Sequence, residues 1–162
     1  MAARSLKAQA LQMLAQREHS RVELRRKLLA RAAAANASES GEAPVAEVDA
    51  LIDWLEAQRY FSPQRFVESR VHVRAPRFGN LRIRQELKRH HVTLSAEAMQ
   101  ALRDSELQRA RAVLERRFAA PPASPAERAK RARFLAGRGF SPEVIARALR
   151  RDGAEQHATF DG

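Results

Sequence analysis

Apolar residues recur along this chain at three- and four-residue intervals, and no stretch alternates apolar with polar over the length of a strand. The spacing predicts helices throughout. Leu6, Ala10, Met13 and Leu14 mark a first helix over residues 5–17, and Leu24 and Leu28 a second over 21–32. A third, 45–59, turns Val45, Val48, Leu51, Ile52 and Leu55 inward, with Trp54 at the edge of the stripe. A fourth, 63–75, carries Phe66, Val67 and Val71, and a fifth, 80–90, carries Ile83 and Leu87. A short sixth after Ser95 buries Ala98, Met99 and Leu102, and a seventh, 104–118, buries Leu107, Ala110, Val113 and Leu114. Ala129, Phe134 and Leu135 belong to an eighth, and Val144, Ile145, Ala148 and Leu149 to a ninth that starts at Pro142.

The starts of these helices are written in serine. Ser20 can accept from the free amide of Glu23, and Glu23 can reach back, which is a capping box. Ser124 and Glu127 repeat the pattern. Ser62-Pro63 and Ser141-Pro142 place proline at the first helical position, where its missing N–H costs nothing. Pro76 and Pro121-Pro122 act as stops, and Gly139 suits a left-handed C-terminal cap. Residues 33–44, small and acidic, read as a loop insertion, and 152–162 as a polar tail. Leu87, Val92 and Ser95 align with Leu135, Phe140 and Ser141 or Pro142, an internal repeat that Leu28 joins once the insertion is set aside. The expected fold is all-α: about nine helices in tandem three-helix repeats over 5–59, 62–103 and 104–151. Such units bury little alone, so they are expected to stack into an elongated rod that can curve.

Composition changes this picture little. Phe, Trp and Tyr make up 6% of 162 residues, so the core is expected to be thin. There is no cysteine, which removes disulfides and thiolate metal sites. No apolar run approaches the ~20 residues of a membrane span, and the N-terminus lacks the apolar block of a signal peptide. A cytoplasmic, monomeric protein is expected.

Charge changes it more. The net charge is +11 and it comes in blocks. Residues 1–31 hold eight Lys/Arg against Glu18 and Glu23, and residues 62–92 hold eight against Glu68 and Glu86. Between them, Glu39, Glu42, Glu47, Asp49, Asp53 and Glu56 face only Arg59. Blocks of one sign favour a polyanion or an acidic protein surface as partner. The alternative is a basic chain from an arginine-rich genome, its charges merely solvated.

No catalytic constellation stands out: no glycine-rich phosphate loop, no GxSxG, no ligand set at metal spacing. His90-His91 cannot chelate one ion, because adjacent helical residues point about 100° apart. His19, in the turn before a cap, is expected to make a local hydrogen bond. No enzyme activity, cofactor or metal is expected. The arginines can hold phosphates or carboxylates bidentately. Only Phe78 is interleaved among them, so base stacking is poorly supported.

Three blocks resemble one family. Arg17-Glu18-His19-Ser20, followed by Glu23-Leu24 and Lys27-Leu28, is similar to the opening signature of the RecX proteins, bacterial regulators of the RecA recombinase. Gly79-x2-Arg82-Ile83-x2-Glu86-Leu87 and Phe134-Leu135-x2-Arg138-Gly139-Phe140 resemble two later family segments, in the same order. The resemblance covers about residues 6–149. It implies tandem three-helix repeats and binding in the groove of the RecA–DNA nucleoprotein filament. It also implies repression of strand exchange, ATP hydrolysis and co-protease activity, in recombination and the SOS response. Ser62, where the family usually has aspartate, and the 33–44 insertion are departures. The contact surface is expected on Arg74, Arg77, Arg82, Arg84, Lys88 and Arg89, extended by Arg25 and Lys27. Binding to single- and double-stranded DNA is expected to be weak and non-specific. One other reading is a free-standing helical protein that binds nucleic acid without reading sequence. Another is an adaptor that joins acidic proteins.

Overall fold

The computed structural model describes residues 5–35 and 45–154, with side chains up to Arg150. Among these residues there are eight helices and no strand: α1 (Leu6–Gln16), α2 (Arg21–Ala35), α3 (Val45–Ala57), α4 (Pro63–Arg74), α5 (Asn80–Arg89), α6 (Ala96–Arg117), α7 (Pro125–Gly137) and α8 (Pro142–Ala154). Most of the expected insertion, residues 36–44, lies outside the described residues, as does the tail beyond 154. α2 runs three residues past its expected end, because an alanine run contains nothing to stop it.

Serine begins six of the eight helices. Ser5, Ser20, Ser62, Ser95, Ser124 and Ser141 each accept, on Oγ, the backbone N–H three residues on, at 3.1–3.4 Å. Each side chain thereby satisfies a donor that the helix itself cannot. Around Ser124 the return bond differs from the expected box: Glu127 Oε2 accepts from the N–H of Ala123 (2.7 Å), one residue earlier.

One expected boundary is absent. The sixth and seventh helices are a single helix, α6, of 22 residues. Asp104-Ser105 looks like a helix start, but no Gly or Pro interrupts the run, and both side chains bond inside the helix. Gln100 donates to Asp104 (2.8 Å), and Ser105 Oγ donates back to the Leu102 carbonyl (3.3 Å).

The chain divides into two compact units: residues 1–70 with 89–92, and residues 71–88 with 93–162. In unit 1, α2 packs between α1 and α3. Ala10, Met13, Leu24, Leu28, Ala32, Val48, Ile52, Leu55 and Phe61 form its core. In unit 2, α6, α7 and α8 pack on one another around Ala110, Val113, Leu114, Leu135, Phe140, Val144, Ile145, Ala148 and Leu149. Trp54 remains 37% exposed, with Tyr60 beside it and the Lys7 ammonium 3.8 Å above its ring.

α3 and α7 end the same way. Tyr60 N–H bonds to Leu55 O and Arg59 N–H to Glu56 O; Phe140 N–H bonds to Leu135 O and Gly139 N–H to Ala136 O. This pattern needs a left-handed residue after the helix. Gly139 supplies it at φ 83°, and Arg59 at φ 58°.

Candidate nucleic-acid interface

The opening block, Arg17 to Lys27, closes on itself. Glu23, 8% exposed, takes two hydrogen bonds from Arg17 and an ion pair from Lys27 (3.2 Å). Burial alone would raise its carboxyl, but the hydrogen bonds from Arg17 and Lys27 win and bring it down to about 2. His19 is buried, Nδ1 on the Arg17 carbonyl (2.9 Å) and Nε2 against Lys27 Nζ (3.1 Å). Burial lowers its pKa. The neutral ring therefore donates from Nδ1 and accepts from the ammonium at Nε2. Ser20 Oγ, besides capping α2, lies 2.7 Å from His90 Nδ1. The expected local bond of His19 is thus present, within a larger polar clamp.

Three other unit 1 arginines are also answered by acids. Arg21 bridges Asp53 and Glu56, Arg25 bonds Asp49 (2.6 and 3.1 Å), and Arg65 bonds Glu18 (3.0 Å). The acidic block on α3 therefore neutralises Arg21 and Arg25 of α2. Of the expected contact residues, Arg25 and Lys27 both lie in such pairs.

Unit 2 brings the two glycine-bearing blocks together. Gly79 N–H donates to Arg138 O (2.9 Å), and Leu81 N–H to Gly139 O (3.1 Å). A Cβ on Gly79 would collide with the Gly139 carbonyl, and one on Gly139 with Arg82 Cβ. The start of α5 has no serine; the buried Glu106 carboxylate on α6 accepts the Asn80 N–H instead (3.0 Å). Arg109, one turn on, donates to the carbonyls of Ala75 (3.1 Å), Phe78 (2.7 Å) and Leu102 (3.1 Å) and to Asn80 Oδ1. Sequence reasoning passed over Glu106 and Arg109. The signal was available: Glu106 stands in register with Leu102, Ala110 and Val113, a charge inside an apolar stripe.

The remaining expected contact residues divide by their surroundings. Arg74 pairs with Glu86 (2.9 Å). Arg82 donates to the Gly137 carbonyl (3.2 Å) and lies 4.5 Å from the Phe78 centroid. Arg77, Arg84, Lys88 and Arg89 are exposed and make no ion pair with a described carboxylate. Arg77 joins three arginines not expected from sequence, Arg116, Arg117 and Arg138, around a pocket of about 310 Å³ walled also by Val113 and Phe134. A wider groove of about 1170 Å³, bordered by Leu81, Ala132, Phe140, Ile145 and Leu149, is apolar and gathers no catalytic groups.

Among the described residues, no three His, Asp or Glu side chains are grouped to hold a metal, and no helix is long and apolar enough to cross a membrane. His90 is occupied by Ser20 and by the Phe66 ring, 4.9 Å away.

Comparison with known proteins gives a consistent result. The family model described as "RecX, third three-helix domain" matches residues 104–149. "Regulatory protein RecX" of Ralstonia nicotianae is 50% identical over 147 residues, 90% of this chain and 86% of that protein. The protein of the same name from Ralstonia pickettii is 51% identical over 148 residues, with the same coverage. That of Leptothrix cholodnii is 47% identical, covering 90% and 88%. The crystal structure of RecX from Lactobacillus salivarius shares the fold, with a TM-score of 0.64 at 18% identity over 92% of this chain and 95% of that one.

Proposed function

The chain belongs to the RecX family of regulatory proteins, and we propose that it regulates RecA, chiefly as an inhibitor, by binding the RecA–DNA nucleoprotein filament. Strand exchange, ATP hydrolysis and co-protease activity are the outputs it modulates, in recombination and the SOS response. It does so without chemistry of its own, in the cytoplasm, as a monomer. Family membership over 90% of the chain carries this reading. Physical support comes from the net charge of +11 together with exposed arginines and lysines that have no acidic partner among the described residues. Such a surface suits a polymer that presents a regular row of negative charges.

The repeats are proposed to be three helices each, 5–59, 62–103 and 104–151, with α6 shared by the second and third. Arg77, Arg84, Lys88 and Arg89 are the best placed of the expected filament contacts. Arg25, Lys27 and Arg74 would have to exchange a carboxylate for a phosphate, and Arg82 would have to leave a helix end.

Titrating the protein into RecA on single-stranded DNA tests the proposal: ATP hydrolysis is expected to fall. Unchanged hydrolysis together with tight binding to naked DNA would favour a free-standing nucleic-acid binder instead. Binding to an acidic protein with no nucleic acid present, indifferent to salt, would favour an adaptor.

A further inference from the structure

We infer that Arg77, Arg116, Arg117 and Arg138 form a dedicated phosphate pocket in unit 2, and that it grips the phosphodiester backbone of nucleic acid. The pocket stands on its own geometry; only the choice of nucleic acid as the source of phosphate rests on the function proposed above.

Four arginines line one pocket of about 310 Å³, and no acidic residue lines it. None of the four forms an ion pair with a described carboxylate. In the same chain, Arg17, Arg21, Arg25, Arg65 and Arg74 all do. Like charges repel, so such a gathering needs something to hold it. Backbone dipoles and rings do so here. Arg116 donates to Pro76 O, and Arg138 reaches Arg77 O at 3.5 Å. Arg138 also lies over the rings of Phe78 (5.4 Å) and Phe134 (5.2 Å), and Arg117 over Phe118 (5.4 Å). These contacts hold three of the four guanidinium groups and leave their net charge unneutralised, which is what an oxyanion needs from its site.

The occupant is backbone and not base. The neighbouring phenylalanine rings already carry arginines: Phe78 has Arg74, Arg82 and Arg138 around it, and Phe134 has Arg138. Phe134 is the one aromatic residue in the lining, and it already carries Arg138, so the wall favours backbone contact over stacking. Phosphate contact without base contact positions a polymer but does not read it.

The test uses the full chain with Arg77→Gln and Arg117→Gln together, both side chains being exposed. The control is Arg26→Gln with Arg150→Gln, two exposed arginines elsewhere that remove the same charge. Circular dichroism verifies folding, and fluorescence anisotropy measures affinity for a single-stranded oligonucleotide at several salt concentrations. The pocket variant is expected to lose affinity roughly tenfold, with a log–log salt slope about 1.4 shallower, as for two lost phosphate contacts on a single strand. The control should keep most of both. Equal losses in the two variants, or an unchanged slope in the folded pocket variant, would overturn the pocket. If the double variant unfolds, Arg117→Gln alone carries the test, with half the slope change expected.

A second arm separates the sources of phosphate. Inorganic pyrophosphate is expected to bind by calorimetry far more weakly than the oligonucleotide; binding as tight as the oligonucleotide's that the pocket variant abolishes would overturn the assignment to nucleic acid. The pocket and the proposed function fail separately. A protein that binds DNA through this pocket yet leaves RecA hydrolysis untouched removes the function, and an inhibitor whose DNA binding ignores Arg77 and Arg117 removes the pocket.

Discussion

Four arginines of unit 1 meet carboxylates, whereas five of unit 2 are set against backbone carbonyls. Arg17, Arg21, Arg25 and Arg65 meet Glu23, Asp53, Glu56, Asp49 and Glu18. Arg82, Arg109, Arg116, Arg131 and Arg138 meet the carbonyls of Gly137, Phe78, Pro76, Ala120 and Arg77. A carboxylate cancels a positive charge; a carbonyl only orients it. Similar basic composition therefore gives two surfaces with different potentials, and a count of Lys and Arg cannot distinguish them. The joints differ in the same sense. Unit 1 is held by a titratable side-chain clamp, and unit 2 by two glycine backbones in contact.

The largest effect should come from breaking the glycine contact. Gly79→Ala drives a methyl into the backbone of Gly139 and Phe140, and Gly139→Ala adds left-handed strain to a clash with Arg82. Backbone cannot move aside as a side-chain tip can, so each should cost on the order of 3 kcal/mol or more. Thermal melting measures it; a Gly79→Ala variant that melts within a degree of the parent would show that the contact is loose.

The clamp of unit 1 should yield less to substitution but more to acid. Glu23→Gln removes the charge that Arg17 and Lys27 share, at roughly 2 kcal/mol for charge-assisted bonds. The folded Glu23 carboxyl lies at about 2, below the ordinary 4.5, so its contribution is complete above 4.5 and drains away as pH falls toward 2. His19 is lowered from 6.5 by burial, so the unfolded chain takes up its proton first, and stability declines as pH drops below 6.5. Melting curves from pH 7 down to about pH 2 should therefore slope downward in the parent. Glu23→Gln should remove the part of that slope below 4.5, and an unchanged slope would put the acid sensitivity elsewhere.

A third substitution makes unit 1 resemble unit 2. Asp49→Ala strips the acid from Arg25, and Asp53→Ala with Glu56→Ala strips both acids from Arg21; these pairs are exposed and add little to stability. Melting should barely move, while binding to single-stranded DNA tightens and its salt dependence steepens. If DNA binding is indifferent to these changes, α2 lies outside the nucleic-acid contact.

Much of this was legible in the sequence, for a local reason. A serine three residues before the amide it caps is a short-range signal, and all five serines singled out as caps, Ser20, Ser62, Ser95, Ser124 and Ser141, start helices. The boundary expected at residue 104 is absent: Asp104 and Ser105 sit inside α6 with their side chains bonded within it. Charge blocks were legible too, but their cancellation was not: Arg25 meets Asp49 and Arg21 meets Glu56 across stretches that no local rule spans. The arginine pocket was hidden similarly, since Arg77, Arg116 and Arg138 come from three separate parts of the chain.

The smallest effect sharpens the comparison most finely, because one motif occurs in both units. α3 and α7 close with the same pair of backbone bonds, around Arg59 in one and Gly139 in the other. An L-residue in the left-handed region crowds its own Cβ against the next carbonyl, at roughly 1 kcal/mol. At Gly139 there is no room for that Cβ, so glycine is required twice over. At Arg59 the side chain is exposed, and the bond from Arg65 goes to its backbone carbonyl, which glycine would keep. Arg59→Gly should therefore relieve strain and lose no contact. The gain is offset in part by the greater freedom of glycine in the unfolded chain. A net stabilisation of about 0.5 kcal/mol is expected, seen as a rise of about 1–2 °C in melting temperature. A fall instead would mean that the Arg59 side chain contributes to unit 1 more than the left-handed conformation costs it.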